Sequence, residues 1–260
     1  MPQNVLITGA TSGFGREFAK LFAADGAHLI LVARHADDLR ETEAMLQRDH
    51  RPAGVTIVAQ DLSEPGSPQK LHDEIEAHGL RVDVLINNAG FGEHGHFVET
   101  DLDKELKIIQ LNIATVTHLT KLYLREMVAR NEGKILQLAS VLSFIPTPRM
   151  AVYAATKAYV LSLTEALQHE IKDSGVTMTA LCPGAGDTEF FERANATEAR
   201  IVQDGPLADP AEVAKAGYDA LMSGKKRIVP GGMNKAQAWL SNLVPDAALA
   251  AGMSFMLEEK

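Results

Sequence analysis

The chain has 260 residues, of which 46% are hydrophobic, and a formal net charge of −9. That length and apolar content allow a sizeable buried core and exclude a fibrous or disordered chain; the acidic balance argues against nucleic acid as a partner, because it leaves no basic surface to neutralise phosphates. The single cysteine, Cys182, cannot form an internal disulfide, and the Cys/His spacing of a structural zinc site is missing.

The opening run MPQNVLITGA enters a strand-like segment at once, without a basic region, a long apolar core or a cleavage site. No apolar run reaches the ~20 residues needed to span a bilayer, so the expectation is a soluble, cytoplasmic protein without a membrane partner. Strands are predicted at NVLIT (4–8), HLILVA (28–33), VTIVA (55–59), VDVLIN (82–87), GKILQLAS (133–140), VTMTALC (176–182) and RIVP (227–230). Several are near-continuous apolar runs, as in parallel strands covered on both faces. Helical patterns separate them. The clearest runs from Asp101 to Arg130, with Leu102, Leu106, Ile109, Ile113, Val116, Thr120, Tyr123 and Met127 forming one apolar stripe at steps of three and four. SEPGSP (63–68) holds the strongest breakers and reads as one loop. Strand and helix alternating throughout predict a doubly wound parallel sheet of about seven strands in a three-layer α/β/α arrangement, one domain over 1–260.

The loop TGATSGFG (8–15) lies between the first strand and the first helix. Glycine permits tight turns and close backbone approach, and a helix N-terminus offers unpaired N–H groups to a pyrophosphate. Gly9, Gly13 and Gly15 fit those roles. Further along, YAATK places Tyr153 and Lys157 four residues apart, on one helical face with β-carbons roughly 5–6 Å apart. Taken singly, each polar candidate has a plainer role: Ser140 as a strand-end cap, Tyr153 as a helix-face aromatic, Lys157 as a solvated charge.

The glycine spacing T-G-x-x-x-G-x-G, NNAG (87–90), Asn112 in the long helix, Ser140 ending the fifth strand, YAATK, and PG (183–184) follow one another in order. Over most of its length the chain therefore resembles the compact branch of the short-chain dehydrogenase/reductase family. The resemblance implies a Rossmann fold and hydride transfer between a nicotinamide cofactor and a carbonyl or alcohol. It places Gly9, Thr11, Ser12, Gly13, Phe14 and Gly15 at the cofactor phosphates, Asp61 and Leu62 beside the adenine, and Asn88, Ala89 and Gly90 along the adenosine side. Pro183, Gly184 and Thr188 would border the nicotinamide and its phosphates. After PG the match loosens, with Gly186 where relatives carry an aliphatic residue or Thr.

The second strand ends in LVARH, with Ala33 where NAD-preferring relatives commonly carry Asp. An acidic residue there would repel a 2′-phosphate, whereas Arg34 can pair with one through its planar fork; the cofactor expected is NADP(H), with His35 as a weaker contact.

By the same resemblance Tyr153 is the general acid in carbonyl reduction and the base in reverse. Lys157 holds the nicotinamide ribose hydroxyls, Ser140 bonds the substrate oxygen, and Asn112 holds a water linking Lys157 to solvent. Bringing a phenol from its ordinary pKa near 10 to about 7 takes ~4 kcal/mol, of which a cation within about 4–6 Å supplies much but not all. The expected function is NADPH-dependent carbonyl reduction. NADP-linked oxidation of a secondary alcohol or sugar is the alternative, and a non-catalytic NADP(H)-binding regulator ranks behind both because Tyr153 and Lys157 are present.

The segment from Glu189 to Leu207 lies where the family carries a substrate lid, and Phe190 and Phe191 could cover an apolar substrate. His94 and His96 in FGEHGHF have no evident further ligand and read as loop or pocket residues, so no metal is assigned. The tail from about 231 carries Trp239, Leu240, Leu243, Val244, Phe255, Met256 and Leu257, expected to pack on the chain itself or on a second subunit. The long helix and the Tyr153 helix commonly pair across subunits in the family, implying a homodimer or homotetramer.

Overall fold

A computed structural model describes residues 2–241 and 243–258. Seven strands, β1 (Asn4–Thr8), β2 (His28–Ala33), β3 (Gly54–Ala59), β4 (Val84–Asn87), β5 (Gly133–Leu138), β6 (Val176–Leu181) and β7 (Arg227–Ile228), form one sheet in the order β3-β2-β1-β4-β5-β6-β7. Every pairing is parallel. Between them run α1 (Gly13–Ala24), α2 (Ala36–Asp49), α3 (Ser67–Ala77), α4 (Leu102–Ile109), α5 (Val116–Ala129) and α6 (Ala151–Glu170). Between β6 and β7 lie the short turns α7 (Phe190–Arg193) and α8 (Arg200–Gln203) and then α9 (Pro210–Met222); α10 (Gly232–Leu240) and α11 (Asp246–Met256) follow the sheet.

Because successive strand residues point to opposite faces, each apolar strand feeds two cores. Val5, Ile7, Leu29, Leu31, Val84 and Ile86 pack against Phe18 and Phe22 of α1, Leu39 and Leu46 of α2, and Val213 and Leu221 of α9. On the other face Leu6, Ile30, Val32, Leu85 and Ile135 meet Leu71 and Ile75 of α3 and Leu119, Tyr123 and Met127 of α5. The strand order reverses between β1 and β4, which opens a crevice at the carboxyl ends of those two strands.

Strand ends differ from the sequence reading for local reasons. β4 starts at Val84, just after Asp83, whose carboxylate accepts from Asn4 N at 3.0 Å. β7 stops at Ile228, two residues before Pro230, which has no N–H to donate.

The long helix expected over 101–130 is not one α-helix with one stripe. Asp101 caps it, accepting from Asp103 N and Lys104 N, but a π-helical stretch, Gln110–Thr115, separates α4 from α5. The wider π turn rotates one half of the helix relative to the other, so the buried face of α4 carries Glu105 and Ile108 while Leu102, Leu106 and Ile109 stay exposed at 69%, 53% and 39%. Among the described residues no helix is long and apolar enough to cross a membrane.

Candidate active site

The crevice between β1 and β4 is built from the loops that leave those strands. After Thr8 the backbone turns through Gly9 (φ +66°) and reaches α1 through Gly13 (φ +49°), conformations that side chains disfavour. Thr8 Oγ1 accepts from the backbone N–H groups of Asn88 and Ala89, each at 3.0 Å. Asn88 Nδ2 donates to Thr8 O at 2.9 Å and Gly9 O at 3.1 Å. A Cβ on Gly15 would sit 2.1 Å from Gly9 O, so only glycine lets α1 start this close to the turn. Ser12 at the N-cap makes no side-chain cap bond, and the first-turn N–H groups lie beside a cleft of about 1040 Å³. The cradle fits a dinucleotide pyrophosphate, with backbone donors and a positive helix end.

At one end of the cleft Ala33 closes β2, and Arg34 and His35 stand exposed on the rim. Burial pushes the Asp61 carboxyl up, but hydrogen bonds from the Ser63 hydroxyl and N–H and the charges of Arg34 and Lys107 outweigh it and hold the group below its usual range. Buried Leu62 beside it is positioned by Thr115 of the π stretch, whose hydroxyl donates to Leu62 O at 2.7 Å.

At the other end Ser140, Tyr153 and Lys157 converge, all buried. Ser140 leaves β5 and starts a short 3₁₀ turn (Val141–Phe144), its Oγ accepting from Leu142 N at 3.1 Å. Lys157 Nζ donates to Leu138 O at 2.7 Å and lies 5.6 Å from the Tyr153 ring centroid. Burial lowers the Lys157 ammonium to about 8 and raises the Tyr153 phenol, against which hydrogen bonding with Ser140 acts in the opposite direction. The lowering of Tyr153 expected from Lys157 is therefore not built by the protein alone: desolvation wins at the phenol, and the lysine is engaged on a backbone carbonyl.

Of the residues singled out from the sequence, Gly9, Thr11, Ser12, Gly13, Phe14, Arg34, Asp61, Leu62, Asn88, Ala89, Gly90, Ser140, Tyr153, Lys157, Pro183, Gly184 and Thr188 line this one cleft. Gly15 and Asn112 stand behind its wall. Asn112 Nδ2 donates to Phe91 O at 3.0 Å and Thr156 Oγ1 at 3.1 Å, and its Oδ1 accepts from Phe91 N at 3.4 Å. A Cβ on Gly90 would lie 3.0 Å from Asn112 Oδ1 and 3.4 Å from Lys157 Nζ, so Gly90 is wedged between the two.

The loosened match after PG has a physical counterpart. A Cβ on Gly186 would fall 2.7 Å from Phe14 Cζ: the phenyl ring of the glycine loop fills the place of the missing side chain. Sequence reasoning misses this pair, because Phe14 reads as a loop position and Gly186 as a defect. It also misses Lys107, near the Asp61 carboxylate, and the extent of the C-terminal contribution, since Met253, Phe255, Met256 and Leu257 all reach the cleft. The apolar cluster at the tail is the available signal. Buried Cys182, its thiol pushed up to about 12 by burial, lies behind the site as expected of a small core residue.

Known proteins share this architecture. The family model for short chain dehydrogenase matches residues 3–199. The chain is 31% identical over 249 residues to the oxidoreductase UcpA of Escherichia coli (strain K12), covering 88% of this chain and 94% of that one. A short-chain dehydrogenase from Sphingobium yanoikuyae in complex with NADPH superposes with a TM-score of 0.82 at 29% identity, over 95% of this chain and 98% of the other. A short chain dehydrogenase/reductase from Burkholderia phymatum in complex with NAD gives 0.82 at 28%, over 92% of each. Matched from the first strand through the glycine cradle to the Tyr153 helix and beyond, this chain belongs to the short-chain dehydrogenase family of oxidoreductases.

Proposed function

We propose that the chain reduces the carbonyl group of a small molecule with NADPH, using Tyr153 as general acid. The observation that carries this reading is the convergence of Ser140, Tyr153 and Lys157 at one end of a cleft whose other end is the glycine cradle. The N–H groups around Ser12 and Gly13 would hold the pyrophosphate, Asp61 and Leu62 the adenine, Lys157 the nicotinamide ribose, and Pro183, Gly184 and Thr188 the nicotinamide side. When bound, the nicotinamide supplies the hydride. Tyr153 gives its proton to the substrate oxygen. Ser140 Oγ accepts from Leu142 N, and its one proton, which lies toward Tyr153 here, would turn to the same oxygen and stabilise the developing alkoxide. Asn112, packed against Gly90 and hydrogen-bonded to Phe91 and to Thr156 one residue before Lys157, would steady the lysine and its link to solvent.

The same Tyr153 is the base in the reverse reaction, so NADP-linked oxidation of a secondary alcohol or sugar is the alternative; reduction is preferred because NADPH favours it in a typical cell. A non-catalytic regulator ranks behind both. Arg34 and Lys107 near the adenosine end favour a 2′-phosphate, and Ala33 brings no charge against one; of the two superposed structures, one binds NADPH and the other NAD. We further propose that 189–207 is a substrate lid, that the compartment is the cytoplasm, and that two copies pair over the exposed strip Leu102, Leu106 and Ile109 of α4 and Tyr159 of α6, giving a homodimer or homotetramer.

A screen of NADPH oxidation against ketones, aldehydes, acyl thioesters and sugars, with Tyr153→Phe in parallel, tests the assignment. Turnover of at least one carbonyl is expected, falling by about 10²–10⁴ or more in the variant while NADPH fluorescence titration stays unchanged; turnover retained in the variant refutes Tyr153 as the acid.

A further inference from the structure

His94 joins three parts of the chain. Its backbone N–H donates to Ala194 O at 2.8 Å, in the segment after α7. Its imidazole Nε2 lies 2.7 Å from Leu257 O, just after α11; a carbonyl only accepts, so Nε2 carries the proton. The residue is buried. A second tie lies outside it: Arg200 N donates to Glu258 O at 3.1 Å, its guanidinium reaches the Glu258 carboxylate at 3.3 Å, and it stacks 4.5 Å from the Phe255 ring centroid. Inside these ties Met253 and Leu257 share one apolar cluster with Tyr153, Met150 and Phe190, and Met256 also faces the cleft.

We propose that Met253–Leu257 is the wall that sets substrate size, and that His94 is the positioning residue clasping this wall and the 189–207 segment over the site. The substrate class that follows is a ketone with an extended apolar body, alicyclic or branched, whose carbonyl meets Ser140 and Tyr153 while its body lies against the methionines. Thioethers without branching adapt to such a surface. This inference rests on the carbonyl-reductase reading.

The test compares cyclohexanone with the bicyclic 2-decalone in wild type, Met256→Trp, His94→Ala and His94→Gln. Met256 is partly exposed, so the indole can be accommodated without disturbing the core. Met256→Trp is expected to raise KM for 2-decalone roughly tenfold or more relative to that for cyclohexanone. His94→Ala is expected to raise KM for 2-decalone and to speed tryptic cleavage after Arg193 and Arg200. His94→Gln, whose amide can still donate to Leu257 O, restores both. Equal changes for the two ketones, or a Gln variant behaving as Ala, overturns the proposal. The trypsin arm needs no turnover: 2-decalone should protect Arg200 in wild type and not in Met256→Trp. A protein that turns over no ketone therefore refutes the carbonyl-reductase reading, while protection by 2-decalone, or its absence, still decides this one.

Discussion

Replacing Gly186 by Val, the kind of residue that relatives carry there, is expected to destabilise this chain, and trimming Phe14 to Leu is expected to cancel much of the loss. The Cβ of any side chain at 186 would stand 2.7 Å from Phe14 Cζ, against an ordinary carbon contact of about 3.5–4.0 Å, and the two methyls of Val extend further. Forcing such an overlap costs about 1–3 kcal/mol, which in a chain of this size lowers Tm by roughly 2–4 °C per kcal/mol. Phe14→Leu alone removes part of a half-buried ring packed on the α1 core and should cost about 1 kcal/mol. If the ring and the missing side chain are complementary, the double variant is more stable than the sum of the singles by about 1–2 kcal/mol. Urea unfolding of the four proteins, followed by circular dichroism with reversibility checked, measures that coupling. NADPH titration of the same set asks whether the glycine loop keeps its shape. Additivity within about 0.5 kcal/mol would show that Phe14 and Gly186 are independent.

Lys157, lowered to about 8 from 10.5, loses its charge in the folded free enzyme above that pH; kcat/KM for reduction should fall along an alkaline limb near 8, and a limb unchanged in Lys157→Met would refute its assignment to this lysine. Because the folded state binds fewer protons than the unfolded one between about 8 and 10.5, this group makes stability rise with pH across that window, an increment that urea titrations should find missing in Lys157→Met. Arg34→Leu should raise KM for NADPH by roughly 10–100-fold, the loss of one or two charged hydrogen bonds, and leave NADH nearly unchanged; equal losses with both cofactors would mean Arg34 does not read the 2′-phosphate. Leu106→Arg, on the exposed strip of α4, should shift the mass from light scattering to that of a monomer, and a wild type that is itself monomeric would sink the paired assembly.

Periodicity and breakers make the sheet legible in the sequence, because each parallel strand buried on both faces leaves a run such as HLILVA that few other contexts produce. The long helix is legible as a helix but not in its facing. A π stretch leaves no signature in residue types, so the stripe from Leu102 to Met127 looks continuous although only its second half packs inward. In the site, the glycine turn, YAATK and NNAG announce themselves because each depends on residues close in the chain. The ionisation of Tyr153 does not, since desolvation is set by everything packed around it, including Met150 of the preceding turn and Phe190 some 37 positions later, whose ring centroid lies 4.9 Å away.

The same division explains why a glycine that fits the family pattern, Gly15, and one that departs from it, Gly186, are equally well accounted for in space. Gly15 is tolerable only because Asn88, just past the neighbouring strand, draws the Gly9 carbonyl into the place a side chain would take. Gly186 is tolerable only because Phe14 occupies the space above it. In both pairs the glycine can be read from its own neighbourhood while the side chain it packs with, Asn88 or Phe14, is more than 70 positions away. Close packing conserves volume across a contact and not along a chain, so a missing side chain at one position predicts an enlarged or intruding one elsewhere in the same wall. The cleft extends that argument to the tail: the wall near Tyr153 is completed by Met253 and Leu257, about 100 residues further on, and although the tail's apolar cluster is visible in the sequence, its place beside Tyr153 is set only by the fold.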